Sequence, residues 1–293
     1  MNIGMIGLDT SHCEIFTRLL NDQHDPHHIS GARVTKAIPF YSSDLEISRN
    51  RVAIFSQIVK EKYQVELMED LSAFCADIDA ILLTAVDGRK HLEWVKKIAP
   101  YGKPVFIDKP IALSSNDVLE MMRLCAEYDM PIMSSSSLRY AQSFREAMDK
   151  ADGQLESLYV YGPLPLQPHI PGYFWYGIHM LELVIAALGT SFKEVHNEHF
   201  PNHEVCTIRF DDGKSAIVRG DYECHNLFGA VLHTAADTIG VEIWKDEKPY
   251  YASLLEEIIR FFQTSHSPIN IEETLQLIRL IEEVNTKRSE KSF

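Results

Sequence analysis

The feature that most constrains the fold of this chain is an alternation. From Met1 to about Ser137, short apolar runs trade places with longer amphipathic stretches. The apolar runs cover residues 3–7, 33–38, 65–68, 80–84, 105–107 and 131–134, and the amphipathic ones 12–21, 45–63, 71–75, 91–100 and 116–128. A run of a few apolar residues bounded by turn formers reads as a strand buried on both faces, and spacing of three and four reads as a helix. Strands that alternate with helical crossovers predict a doubly wound parallel sheet with helices on both faces. Such a sheet binds ligands outside the carboxyl ends of its strands. The residues that follow each run are therefore the candidates for chemistry.

The pattern then changes. Residues 154–161 alternate as a strand, 162–171 form a proline-rich loop, and 176–188 read as a helix. Strands follow at 195–199, 204–210, 214–222, 227–233 and 238–244, with a turn at Asp211-Asp212-Gly213 that marks antiparallel hairpins. Two helices close the chain, 251–264 and 271–287, the second capped by Asn270. The expected architecture is an α/β Rossmann domain over residues 1–120. An α+β domain with a mainly antiparallel sheet follows over 121–293, without a flexible linker.

With 293 residues, 45% of them hydrophobic, the chain can bury a real core. A formal charge of -14, with acids spread throughout, argues against nucleic-acid or anionic-membrane partners, which select basic patches. Met1 leads straight into a strand and no run reaches membrane-spanning length, so a cytoplasmic protein without a signal peptide is expected. The five cysteines (Cys13, Cys75, Cys125, Cys206, Cys224) are scattered and lack a C-x-x-C pair, which fits reduced thiols. The N-terminal histidines His12, His24, His27 and His28 suggest a metal, but they fall in a polar loop without ligand spacing, and no metal is expected.

Several stretches could carry chemistry. The first strand ends Gly7-Leu8-Asp9-Thr10-Ser11-His12, where a dinucleotide fingerprint would read G-x-G-x-x-G. Gly7 keeps the first position; Asp9 and His12 occupy the other two. The helix that starts there presents free N–H groups and a positive dipole end to an anion. The second strand ends at Pro39 without a ribose-binding acid, and Ser42, Ser43 and Arg49 are alternatives for a 2′-phosphate or for a plain loop. Thr84 to His91 is a polar turn after the fourth strand. The fifth strand ends Asp108-Lys109-Pro110, bringing a carboxylate and an ammonium out of the core. In the second half, only His179 and Glu182 are polar between Ile178 and Leu188, and their spacing puts them on one helix face. An imidazole beside a carboxylate is a better proton acceptor, although a hydrogen-bonded core histidine is the plainer alternative. Arg139 is a candidate to orient a polyol or carboxylate, or to make a structural salt bridge.

Taken in order, these stretches resemble the glucose–fructose oxidoreductase / inositol dehydrogenase (Gfo/Idh/MocA) family. The resemblance runs from the opening turn through Thr84–His91, the D-K-P strand end, Leu138-Arg139-Tyr140 and Gly177-x-His179-x-x-Glu182 to the closing helices. It implies a Rossmann domain binding NAD or NADP and hydride transfer at a sugar or polyol carbon. A sheet domain would supply the substrate groups and make a homo-oligomer, dimer or tetramer. By position, Lys109 matches the lysine that hydrogen-bonds the substrate hydroxyl and nicotinamide ribose, and His179 matches the general base. Gly7, Asp9, Thr10, Ser11, His12, Thr84, His91, Asp108 and Lys109 would border the cofactor. Arg139, Tyr173, Trp175 and Tyr176 would border the substrate. The chain departs from the family at Asp9 and His12, at Pro39, and at Trp175, where an aspartate four residues before the histidine is usual. Those departures motivate the rivals: a non-redox protein that binds a sugar-like ligand, or an enzyme that uses tightly held NAD for elimination.

Overall fold

The computed structural model describes residues 1–223 and 227–290; Cys224 lies outside them. The chain forms two compact units, each assembled from separate stretches. The first comprises Met1–Ala112, Asn116–Ser135 and Leu254–Ile271; the second comprises Leu113–Ser115, Ser136–Ser253 and the chain from Glu272 onward. The division expected after residue 120 falls inside a helix, Ser115–Tyr128.

The first unit runs β1 (Asn2–Ile6), α1 (Ser11–Asn21), β2 (Arg33–Ile38), α2 (Glu46–Tyr63), β3 (Glu66–Leu67), α3 (Leu71–Ala76), β4 (Ala80–Leu83), α4 (His91–Ile98), β5 (Val105–Ile107), α5 (Ser115–Tyr128) and β6 (Ile132–Met133). Its strands form one parallel sheet in the order β3-β2-β1-β4-β5-β6. The winding reverses between β1 and β4, so the turns that follow these two strands open at the switch point where ligands bind such sheets. Ile6 pairs with both Ile38 and Leu83, which brings the ends of three strands level. Every residue of β4 and β5 is buried, as their unbroken apolar runs require. Thr10 caps α1, its hydroxyl accepting from the His12 N–H. At the far end Asn21 exchanges two hydrogen bonds with the Val34 backbone, fixing α1 to β2.

The second unit contains α6 (Gln142–Ala151), β7 (Leu155–Pro163), α7 (Gly177–Leu188), β8 (Phe192–His199), β9 (His203–Phe210), β10 (Ser215–Asp221), β11 (Gly229–Thr234), β12 (Thr238–Glu242) and α9 (Ile271–Glu290). Helix α8 (Tyr250–Thr264) starts in this unit and from Leu254 belongs to the first. The sheet order is β12-β11-β7-β10-β9-β8. All its pairs are antiparallel except β7 with β10. A parallel pair needs a long connection, and residues 164–214 with α7 supply it. Helix α6 was not expected from the pattern: its buried face is only Phe144, Ala147 and Ala151, in an otherwise polar stretch. Helix α7 is buried from Gly177 through Ile185, as its near-absence of polar residues predicts.

Candidate active site

Two groups of side chains meet around the first turns of the Rossmann unit. Gly7 adopts φ +95°, and a Cβ there would stand 2.3 Å from the Ala85 backbone nitrogen, so only glycine allows the β1 and β4 ends to approach. The Thr84 hydroxyl donates to the Gly7 carbonyl at 2.7 Å. Asp9 is 0% exposed and turns inward: it accepts from the Ser48 hydroxyl at 2.6 Å and the Val86 N–H at 3.0 Å. Burial pushes its carboxyl up to about 6, although both donors pull the other way. Asp9 is expected from the sequence to border the cofactor, but a buried carboxylate with these partners does not line the cradle for a diphosphate. His91 is buried, with Nδ1 facing the Pro110 and Ile111 carbonyls at 3.0 and 3.1 Å and Nε2 facing that of Ala85 at 2.7 Å. Its ring joins the end of β4 to the stretch after β5. Thr84 and His91 thus hold the turns together from behind.

The second group lies at the end of β5. Asp108 is buried, its Oδ2 2.5 Å from His12 Nδ1 and its Oδ1 accepting from the Lys109 N–H at 2.8 Å. Burial works against its charge, but the His12 ring and the Lys109 ammonium hold its carboxyl below the usual carboxylate range. Lys109 is half-buried, and burial lowers its ammonium while Asp108 opposes that shift. Two residues expected to border a cofactor independently, His12 and Asp108, are therefore each other's partners. Of the first turn of α1, Ser11 is the exposed residue, and the Thr10–Ser11 backbone is where an anion would meet the helix. A dinucleotide fits this set: Gly7 permits the tight turn, the cap leaves the helix start open, and Asp9 is turned away. At the end of β2, Ser42 is buried with its N–H on Ser48 Oγ, and Arg49 donates to the Ser43 carbonyl.

In the second unit His179 opens α7, buried, with Nδ1 2.7 Å from the Ser136 hydroxyl. The Ser136 N–H donates to Glu182 Oε2 at 2.6 Å. His179 and Glu182 share a face as expected and converge on Ser136, which sequence reasoning missed. Its signal was present: Ser136 caps the short turn Ser137–Tyr140 that carries Arg139. Tyr176 and Phe228 pack edge-on against the imidazole, at ring-centre distances of 5.7 and 5.6 Å. Trp175 is buried beside Tyr176. Arg139 pairs with Glu273; burial lowers its guanidinium, but Glu182 and Glu273 outweigh that and raise it, which is the salt-bridge alternative. Tyr173 corrects the expected substrate wall: it is 0% exposed, in the core, where burial and the neighbouring Cys206 and Glu204 push its phenol well up. Its ring packs where a Cβ of Gly177 would stand, because the chain folds back over the start of α7.

Among the described residues, no three His, Cys, Asp or Glu side chains are placed to hold a metal ion. Cys13, Cys75, Cys125 and Cys206 are free thiols, each raised by burial.

Comparison with known proteins points to the same fold. Residues 1–135 match the profile described as oxidoreductase family, NAD-binding Rossmann fold (GFO_IDH_MocA). A 2,7-anhydro-N-acetylneuraminate hydratase of Mediterraneibacter gnavus is 32% identical over 93 residues, 31% of this chain. That match spans a quarter, 25%, of the hydratase's length. The UDP-N-acetylglucosamine 3-dehydrogenase of Acidithiobacillus ferrooxidans superposes with a TM-score of 0.80 at 12% identity, covering 98% of this chain and 97% of that one. The myo-inositol 2-dehydrogenase of Lactobacillus plantarum gives 0.79 at 16% identity, covering 99% and 97%. At such identities the likeness is one of fold, and it extends over both units. Over residues 1–135 the chain is similar to the oxidoreductase family with an NAD-binding Rossmann fold, GFO_IDH_MocA.

Proposed function

We propose that this protein is an NAD- or NADP-dependent oxidoreductase that transfers hydride between the nicotinamide and a sugar, polyol or related hydroxy compound. The observation that carries the reading is Lys109, an ammonium at the carboxyl end of β5 on the switch-point edge of a Rossmann sheet, with burial lowering its proton affinity. The bound nicotinamide would supply the hydride acceptor. The Thr10–Ser11 backbone and Gly7 would receive its diphosphate. Lys109 would donate a hydrogen bond to the substrate, and His179 would serve as general base. The Ser136 hydroxyl at Nδ1 would hold the orientation of the ring. Tyr176 and Trp175 are aromatic surfaces of the kind that suits the apolar side of a pyranose. Arg139, held by Glu273, would act on substrate only through the groups it positions.

The first unit is then the nucleotide-binding domain, and the second supplies the base and an oligomer face. The sheet of the second unit has a row of residues, Thr207, Ile217, Tyr159 and Val231, in direct cross-strand register and on the side opposite the buried Val160 and Val218. Ile217 in this row is 44% exposed, and a second copy of the chain is the partner proposed for it. No helix among the described residues is long and apolar enough to cross a membrane, and the nicotinamide chemistry suits a cytoplasmic setting.

The expected result is that His179→Ala and Lys109→Met each lower turnover by about 10²-fold or more, while their thermal melts stay close to that of the parent protein. Absence of calorimetric binding of both NAD and NADP to the purified protein would defeat the proposal.

A further inference from the structure

The Phe228 ring that packs edge-on against His179, 5.6 Å between centres, also lines a cavity of about 250 Å³. The other rings around that cavity are Trp244 and Tyr250, and Asp246 and Lys248 add charges of opposite sign. Tyr250 leads back to the same imidazole. Burial and then the neighbouring Tyr176 raise its phenol, and Tyr176 is the second ring against His179. All of these residues belong to the second unit. The cavity therefore stands one aromatic layer from the proposed base.

Trp244 is the unusual member. Of the three tryptophans in the chain, Trp94 and Trp175 are 8% and 7% exposed, whereas Trp244 is 46% exposed. Its position is fixed from several sides. It lies in the short turn Ile243–Lys245 after β12, closed by the Asp246 N–H on the Ile243 carbonyl at 3.1 Å. The Lys245 ammonium stands 4.8 Å over the indole and is itself paired with Glu242 at 2.6 Å. Asp246 Oδ2 accepts from the Ser143 N–H at 3.2 Å, which holds that carboxylate in place. A large ring braced in this way and left open to water is a surface on which another ring can stack. Size limits what enters. A cavity of about 150 Å³ takes a benzene ring, and sites for whole drug-sized ligands start near about 300 Å³. A space of about 250 Å³ suits one substituted six-membered ring, so it is a subsite for part of a ligand.

We propose that the substrate is a disaccharide: one sugar ring meets His179, and the second stacks on Trp244 in the adjoining cavity. The inference rests on the base role given to His179 above and names the substrate class of that site. A pyranose has an apolar side that suits an aromatic ring, and hydroxyls around its edge that need donors and acceptors. Trp244 and Tyr250 answer the first requirement, and Asp246 and Lys248 the second. Trp244 is then a specificity residue that sets how many rings the site takes, and it has no part in the chemistry at His179.

The test is a set of ligand-observed NMR titrations of the full-length protein, which need neither dinucleotide nor turnover. Cellobiose, maltose and lactose are compared with the methyl glycosides of glucose and galactose. At least one disaccharide should bind about tenfold more tightly than the methyl glycosides of both its sugars. Trp244→Ala should remove that gain while leaving methyl glycoside binding, the thermal melt and the molar mass as in the parent protein. Trp244→Phe keeps a ring and should retain most of the gain. Equal affinities for one ring and two overturn the proposal, as does a failure of every disaccharide to bind. A gain that persists in Trp244→Ala overturns it too, and so does a change of molar mass with binding unaltered, which would make Trp244 part of a contact between copies. If Trp244→Ala does not fold, tryptophan fluorescence decides: the disaccharide should shift the emission of the parent and not that of Trp244→Phe, and no difference overturns the proposal. The two readings fail separately. A Trp244-dependent disaccharide gain in a protein that binds neither NAD nor NADP would remove the oxidoreductase and keep the subsite; dinucleotide binding with equal affinities for one ring and two would do the reverse.

Discussion

Asp9 and Glu204 are both 0% exposed, and their carboxyls shift in opposite directions. Asp9 meets only neutral donors, Ser48 Oγ and the Val86 N–H, and burial wins, raising it to about 6. Glu204 is penalised by burial too. However, it receives Arg288 Nε at 2.8 Å on both oxygens, with Tyr222 and Asn197 adding further donors, and its carboxyl is held below the ordinary glutamate value. A full charge outweighs two neutral hydrogen bonds in a water-poor site. The signs for stability follow. Asp9 holds its proton more tightly folded than unfolded, so its contribution is complete below the ordinary aspartate value of 3.8 and is lost as pH rises through about 6. A shift of this size corresponds to about 3 kcal/mol. Asp9→Asn should therefore gain stability relative to the parent protein as pH rises from about 4 to 7. Urea unfolding at a series of pH values checks this, and a stability difference that does not vary with pH would refute it. Glu204 behaves inversely: its contribution is present above the ordinary glutamate value and disappears on acidification.

At the scale of elements, the same ion pair fastens α9 to the second sheet. Arg288 sits near the end of α9 and Glu204 on β9, and Asn285 of α9 accepts from the Tyr173 N–H at 3.0 Å. Removing Arg288 alone would strand a buried carboxylate. Arg288→Met should lower unfolding stability by about 3–5 kcal/mol, while Arg288→Met combined with Glu204→Gln should lose less. Equal losses in the single and double variants would show that the helix is held by packing instead. The elements themselves were largely legible in the sequence. The strands 33–38 and 105–107 end where their apolar runs end. Helix α6 was not legible, because a face made of one phenylalanine and two alanines gives too weak a period to separate from a loop. The parallel pairing of β7 with β10 was also hidden, since a hairpin signal speaks only for neighbours in the chain.

For the whole molecule, the proposed oligomer face makes a separate claim. Ile217 stands between Thr207 and Tyr159 in the sheet, facing away from the core. Ile217→Lys should leave the fold intact, by circular dichroism, and dissociate the assembly, by light scattering, because a buried unpaired charge is not tolerated in an interface core. A parent protein that is monomeric at micromolar concentration, or a variant of unchanged mass, would dismiss the face.

The order of apolar runs and turn residues was enough to determine two architectures, the Rossmann unit and the sheet unit, because hydrophobic periodicity is local and each strand or helix carries its own. It also determined which residues stand at strand ends and helix starts, and so named Lys109 and His179. Only the tertiary structure decided where those polar groups turn. Asp9 faces Ser48 and not a diphosphate, His12 faces Asp108, His179 and Glu182 meet at Ser136, and Tyr173 lies in the core. The physical reason is that a buried polar group takes whichever partner satisfies it, and that partner comes from a strand or helix remote in the chain.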